Sequence, residues 1–285
     1  MRKILFSIIL VLLCCTQSLA ESSVWRAQKG ESVMYLGGTC HLLRQSDFPL
    51  PAEFDKAYRD SDSLVFETDI GEFNDLSAQQ KLMSKTMYND GSTVDKHLSP
   101  QTYKLLSDYC DANGIPLEAL KTFKPSMIVV MIEAVELAKL NVTQEGVDTY
   151  FYKLAKRDKK NVEGLETVDE QINFLARMGE GNEDTFVRYT IEDLKSIQQH
   201  YESLVGAWKK GDTKRLYDLM VADLQAMPKL YKELLTDRNK KWLPRIETYR
   251  KTNQKRFILV GAGHLVGPDG ILEILRQRGY KVEKL

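Results

Sequence analysis

Two short runs of apolar, largely β-branched and aromatic residues in this chain end in the same way. Ser32-Val33-Met34-Tyr35-Leu36 leads into Gly38-Thr39-Cys40-His41, and Arg256-Phe257-Ile258-Leu259-Val260 leads into Gly261-Ala262-Gly263-His264. Runs of this length and composition predict buried strands. The glycines that follow let the backbone turn sharply where each strand ends. Each strand would then deliver an imidazole to the carboxyl edge of a sheet, the edge where open α/β sheets form their ligand clefts. The two histidines lie near opposite ends of the chain, so only the fold can bring them together.

A third run, Ser63-Leu64-Val65-Phe66-Glu67-Thr68-Asp69, changes from apolar to acidic at its end. Before it, Pro51 followed by Phe54, Ala57 and Tyr58 on one face predicts a helix over 51–61. Strand, helix and strand at this spacing predict a parallel βαβ unit, with His41 and Glu67 on one edge. The pattern then turns helical, with helices predicted over 76–88, 100–112, 116–122, 126–140, 147–156, 168–178, 184–209, 212–226 and 229 to about 250. A short strand with a turn falls at 161–167. The chain closes with a strand at 257–260, a helix at 270–278 and a strand at 281–283. The predicted class is α/β: a mixed central sheet built from both chain ends, with a mostly helical insertion over about 70–255 and a single domain over 21–285.

Composition adds a destination. Arg2 and Lys3 precede an apolar stretch over 4–15, and Ser18-Leu19-Ala20 offers a small-x-small cleavage site, so residues 1–20 read as a secretory signal peptide. That stretch is short for a membrane span, and the later apolar segment at 127–140 is broken by Glu133 and Glu136. The mature chain is therefore expected to be periplasmic or secreted, without a stable membrane span. Lys and Arg number 40 and Asp and Glu 40, so loss of Arg2 and Lys3 leaves a net charge near −2. No concentrated basic face is present, and no nucleic-acid partner is predicted. The mature chain keeps Cys40 and Cys110, which in an oxidising compartment predict one disulfide, two separate buried thiols being the alternative.

Two neutral imidazoles and a carboxylate suit a divalent cation and leave coordination positions open for water. His41, His264 and Glu67 are the candidate ligands, and Glu67 is also a candidate general base. The helix-borne HExxH signature and paired CxxC motifs are absent. The plainer alternative makes each Gly-x-x-His a strand-to-helix turn whose imidazole bonds the backbone. In the Lys-rich helix at 229–250, Arg238 offers a two-pronged donor for a carboxylate or developing oxyanion, and Asn239 a donor to a substrate carbonyl. Trp242 nearby reads as core. Glu166 reads first as an acid favoured at a helix start, and His97 and His200 read as surface residues.

In chain order, Gly38-Thr39-Cys40-His41, Phe66-Glu67-Thr68-Asp69, Gly164-Leu165-Glu166-Thr167, Arg238-Asn239 with Trp242, and Gly261-Ala262-Gly263-His264-Leu265 with Gly267 together resemble the TraB/GumN family, which includes the Tiki metalloproteases. The resemblance runs from about Val24 to Leu285. It implies an exported or membrane-associated α/β protein with an erythromycin-esterase-like fold. It further implies a divalent-metal site at His41, His264 and Glu67, with manganese or cobalt favoured and zinc also suitable. Arg238 and Asn239 match the family's Arg-Asn pair near the cleft. The function it implies is a metal-dependent hydrolase, most simply a peptidase acting on a peptide or other small substrate. Two alternatives remain open here: a metal-independent, esterase-like hydrolase, and a non-catalytic protein that binds a peptide or small ligand in the same cleft.

Overall fold

The computed structural model describes residues 22–252 and 254–285. The expected signal peptide over 1–20 lies outside them. A six-stranded mixed sheet forms the centre, made of β1 (Val24–Lys29), β2 (Ser32–Thr39), β3 (Ser63–Phe66), β4 (Asn161–Gly164), β5 (Arg256–Gly261) and β6 (Lys281–Lys284). Their order across the sheet is β4-β3-β5-β2-β1-β6. The α/β class, with strands from both chain ends around a helical middle, is as predicted.

Two details differ from the expectation. The strands that flank the 52–59 helix are parallel but not neighbours, because β5 inserts between β2 and β3, pairing in parallel with both. A run as apolar as Arg256–Gly261, buried at every position, is stable only with a neighbour on each side. β1 escaped prediction because its polar-apolar alternation is weak. It joins β2 in an antiparallel hairpin through Gly30, whose φ of +63° suits a tight turn, and pairs on its other edge with β6.

Register aligns the carboxyl ends of the parallel strands. Thr39 faces Gly261 across β2 and β5, and Phe66 faces Gly164 across β3 and β4. His41, Glu67, Glu166 and His264 each follow one of these ends within three residues. Phe54, Phe151, Trp208 and Phe257 pack together on the sheet, with ring centroids 5.5 to 6.3 Å apart. Full burial of such a side chain contributes about 1.5–3 kcal/mol, which anchors the helices that carry site residues.

The helices fall close to their predicted spans, including Pro100–Ala112, Pro125–Lys139 and Val147–Asp158. The predicted single helix at 184–209 breaks into Glu183–Leu194 and Ile197–Lys210 around Lys195 and Ser196. The helix Asp237–Thr248 is preceded by a π-helical turn, Lys232–Thr236. The helical insertion has its own apolar cluster around Leu106, Ile128, Ile132 and Val187. Cys110 belongs to that cluster, whereas Cys40 belongs to the main core, and both thiols are free. The expected Cys40–Cys110 disulfide is therefore corrected: the two cysteines sit in separate cores. No helix among the described residues is long and apolar enough to cross a membrane.

Candidate active site at the carboxyl edge of the sheet

Glu67 leaves the end of β3 buried and fixed from two sides. Its Oε1 accepts a hydrogen bond from the Gly261 backbone N–H at 2.8 Å, and its Oε2 accepts one from Arg238 Nη2 at 2.6 Å. Burial alone would raise its carboxyl, but the Arg238 charge, aided by both histidines and the Gly261 amide, holds it well below the usual carboxylate range. Asp69, two residues on, is turned away and caps the short Ile70–Phe73 helix through the Gly71 and Glu72 amides.

Arg238 is the hub of the site. Nε and Nη2 make a bidentate pair with Glu166 at 3.1 and 2.7 Å, Nη2 also reaches Glu67, and Nη1 meets His264 Nε2 at 3.1 Å and the Leu234 carbonyl at 3.5 Å. The last carbonyl belongs to the π-helical turn, a device that recurs at functional sites because it rotates the following turn. Arg238, Asn239 and Trp242 lie on the helix that continues from it. All five N–H groups of the guanidinium have partners within the cluster, so none is spare for a substrate oxyanion. The expected substrate-facing role of Arg238 becomes one of holding Glu67 and His264.

Asn239 is likewise engaged. Buried to 1% exposure, its Nδ2 donates to the His264 and Asp269 carbonyls at 3.1 and 2.9 Å. Its Oδ1 therefore faces His264 Nδ1, 2.8 Å away, as acceptor. That assigns the proton to Nδ1 and leaves a lone pair on Nε2. Asn239 thus orients His264 and does not reach a substrate carbonyl. Burial, with the nearby Arg238 charge adding to it against Glu67, pushes the His264 imidazole down to about 3, so the ring is neutral. Trp242 packs against it with ring centroids 4.5 Å apart and tilted by 44°, and donates Nε1–H to Glu166 Oε2 at 3.1 Å.

His41 approaches from the other side, its outer edge exposed. Its Nδ1 lies 2.8 Å from an oxygen of Asp148, whose carboxylate raises the imidazole's affinity for a proton. Asp148 and Glu166 were not read from sequence as site residues. A signal for Asp148 existed in Gly146, which opens the Val147–Asp158 helix. A Cβ at Gly146 would fall 2.1 Å from the His41 carbonyl oxygen, and only glycine allows the Val147 amide to bond the Cys40 carbonyl at 3.0 Å. For Glu166, the signal was the Gly164-Leu165-Glu166 strand end. Its amide bonds the Glu67 carbonyl at 2.8 Å, continuing the β3–β4 ladder past both strands.

The three predicted ligands meet at Gly261. A Cβ there would lie 3.2 Å from Glu67 Oε1, 3.5 Å from His41 Nε2 and 3.7 Å from His264 Cδ2, so the missing side chain keeps a cradle open between them. The donor types suit a divalent cation: each Nδ1 is bonded outward, to Asp148 or Asn239, His41 Nε2 faces Gly261, and the Glu67 carboxylate lies 3.9 Å from His264 Nε2. Among the described residues no group of three or more His, Cys, Asp or Glu side chains is arranged so that it could hold a metal ion as it stands. Arg238 Nη1 shares the His264 lone pair that a cation would use. His97 and His200 are exposed, as expected, and His97 stacks on Tyr88.

Two cavities open beside His41, one of about 240 Å³ past Phe66, Glu67 and Phe73, and one of about 350 Å³ past Gly261 and Leu204. A larger depression, about 690 Å³, lies at the opposite edge between Lys29 and Lys255 and touches none of these residues.

The sequence profile of the TraB/PrgY/gumN family matches residues 23–284, nearly the whole described chain. This chain belongs to the TraB/PrgY/gumN family. Its similarity to curated TraB/PrgY/gumN proteins is distant but long. It is 25% identical to "Metalloprotease TIKI2" of Xenopus tropicalis over 320 aligned positions, covering 92% of this chain and 60% of the relative. Against "Metalloprotease TIKI2" of Danio rerio the identity is 26%, covering 87% of this chain and 58% of the relative. Against "Metalloprotease TIKI1" of Homo sapiens it is 24%, covering 94% and 62%. The chain thus spans about three-fifths of the length of these relatives. No solved structure matches it.

Proposed function

We propose that this TraB/PrgY/gumN chain is an exported, metal-dependent hydrolase of peptide bonds, periplasmic or secreted, with its centre at His41, Glu67 and His264. The observation that carries the proposal is the convergence of the Glu67 carboxylate, the His41 Nε2 atom and the edge of the His264 ring on the bare Cα of Gly261. The metalloprotease names of its relatives support the same reading. His41, His264 and Glu67 would hold manganese, cobalt or zinc, which supplies Lewis acidity for a water and for a substrate carbonyl. Arg238 keeps Glu67 ionised, as a cation ligand must be, while lowering its basicity, so its place is at the cation rather than as the base on water. Asn239 holds His264 in the tautomer whose Nε2 is unprotonated, whereas Asp148 orients His41 through Nδ1 and raises its hold on a proton, which a bound cation would have to displace. Glu166 and Trp242 fix Arg238 from behind.

The test is metal content after purification without chelators, alongside hydrolysis of unstructured peptides, for the native chain and for His41→Ala and His264→Ala. Near-stoichiometric metal and peptide cleavage in the native chain, both lost in the variants, is the expected result. Equal and negligible metal in all three would overturn the metal assignment. A second reading rests on the His41–Asp148 pair, which has the geometry of a histidine base and its orienting acid. Hydrolysis that survives exhaustive chelation but is lost in Asp148→Asn would favour that metal-independent reading.

A further inference from the structure

The cavity of about 350 Å³ that begins at His41 and Gly261 has a distinct chemistry. Its walls are the apolar side chains of Leu42, Leu137, Ile197, Leu204 and Met220, each left half-buried by the fold although each is large enough to be core. These residues come from three separate parts of the chain: the loop after β2, the Pro125–Lys139 helix, and the helical stretch beyond Lys195. Five half-buried apolar side chains facing one concavity leave apolar surface that a ligand can cover. Glu133 and Asp193 are the acidic residues of the lining, which includes no lysine or arginine; its two histidines are His41, at the mouth beside Gly261 and paired with Asp148, and His200, exposed near Asp193. Burial and the neighbouring Asp193 push the Glu133 carboxyl up to about 7, so an added negative charge here meets both desolvation and repulsion.

The second cavity, about 240 Å³, leaves the same histidine on another side, past Phe66, Ile70 and Phe73. An extended chain laid across His41 would place one flanking side chain in each cavity.

We propose that the Leu204 cavity is a specificity subsite that takes an apolar side chain, leucine- or phenylalanine-sized, adjacent to the scissile bond, and rejects an acidic one. The proposal rests on the hydrolase reading above and adds a substrate class: peptides with a bulky apolar residue, free of Asp and Glu, at one position beside the cleavage point. Its continuity with Gly261 and His41 distinguishes the cavity from an apolar surface groove.

The experiment uses quenched-fluorescent decapeptides of Gly and Ser with one central position set to Leu, Ala, Asp or Lys. Binding is followed by anisotropy and cleavage by mass spectrometry. The Leu peptide should exceed the Ala peptide by about tenfold or more in kcat/KM, the scale on which a well-fitted apolar pocket discriminates, and the Asp peptide should be poorest. Leu204→Trp, which fills the cavity, should abolish the preference for Leu; Met220→Phe provides a milder filling should that chain fold poorly. The double variant Glu133→Gln/Asp193→Asn should raise the Asp peptide toward Ala while leaving the Leu peptide in place. Cleavage without preference among the four peptides would overturn the subsite while leaving the hydrolase reading intact. Preferential binding of the Leu peptide without any cleavage would uphold the subsite and overturn the hydrolase reading. Equal binding of all four, or none, without cleavage would overturn the subsite as well.

Discussion

Removing Arg238 separates its role as internal clamp from any role on substrate. In Arg238→Leu the carboxylates of Glu67 and Glu166, 8% and 4% exposed, lose the cation that both contact. Breaking a buried pair by deleting one partner costs about 3–5 kcal/mol, because a buried charge is left uncompensated. At roughly 2–4 °C per kcal/mol for a chain of this size, the melting temperature near pH 8 should fall by about 6–20 °C. The sign of the pH dependence follows from Glu67. Without Arg238, burial dominates and lifts its folded-state pKa above the unfolded value of about 4.3, so the native state takes up a proton first. Stability of the variant should then rise as pH falls from 8 toward 5, and its deficit relative to the native chain should shrink. Adding Glu166→Gln removes one stranded charge and should recover about 1 kcal/mol or more. Urea unfolding followed by tryptophan fluorescence reads all of this, since Trp242 lies against the cluster. A loss below about 1 kcal/mol that does not change between pH 5 and 8 would refute the clamp.

Three shorter predictions follow from the same geometry. Asp148→Asn should weaken manganese binding about 10- to 100-fold in calorimetric titration, the usual effect of losing an orienting carboxylate; unchanged affinity would remove Asp148 from the site. Gly261→Ala puts a methyl 3.2 Å from Glu67 Oε1, so peptide hydrolysis should be lost while unfolding free energy changes by less than about 2 kcal/mol; full activity would mean the cradle is unused. His264, held near 3 by burial, stays neutral in the folded state at a pH where the unfolded chain is already protonated, and Glu67 is held low in the same direction. Unfolding free energy should accordingly rise with pH from about 3 to 6.5, and a flat urea midpoint over that range would contradict a buried neutral imidazole.

Much of this was legible in the sequence because strand ends carry strong local signals. The apolar runs before His41, Glu67 and His264 identified the strands, and the rule that parallel strands present their carboxyl ends to ligands placed all three on one edge. What could not be read was adjacency. Nothing local tells β5 to enter between β2 and β3; the pairing is set by burial on both faces of Arg256–Gly261, a property of the assembled sheet. The roles of Arg238 and Asn239 were misread for a related reason. Their residue types allow substrate contact, and only their partners, Glu67, Glu166 and two backbone carbonyls, show that the donors are already used. Asp148 was hidden because its contact depends on Gly146 letting a helix end touch the Cys40-His41 backbone.

The insertion of β5 between β2 and β3 also governs when the centre can exist. During synthesis, His41, Glu67, Glu166 and Arg238 are all made before residue 256, yet the two strands that lead to His41 and Glu67 are joined within the sheet only through β5. A nascent or truncated chain ending before that point carries most of the reactive groups without a sheet to seat them. Assembly of the candidate centre is thereby tied to completion of the sheet, so the order of synthesis sets when its side chains can meet.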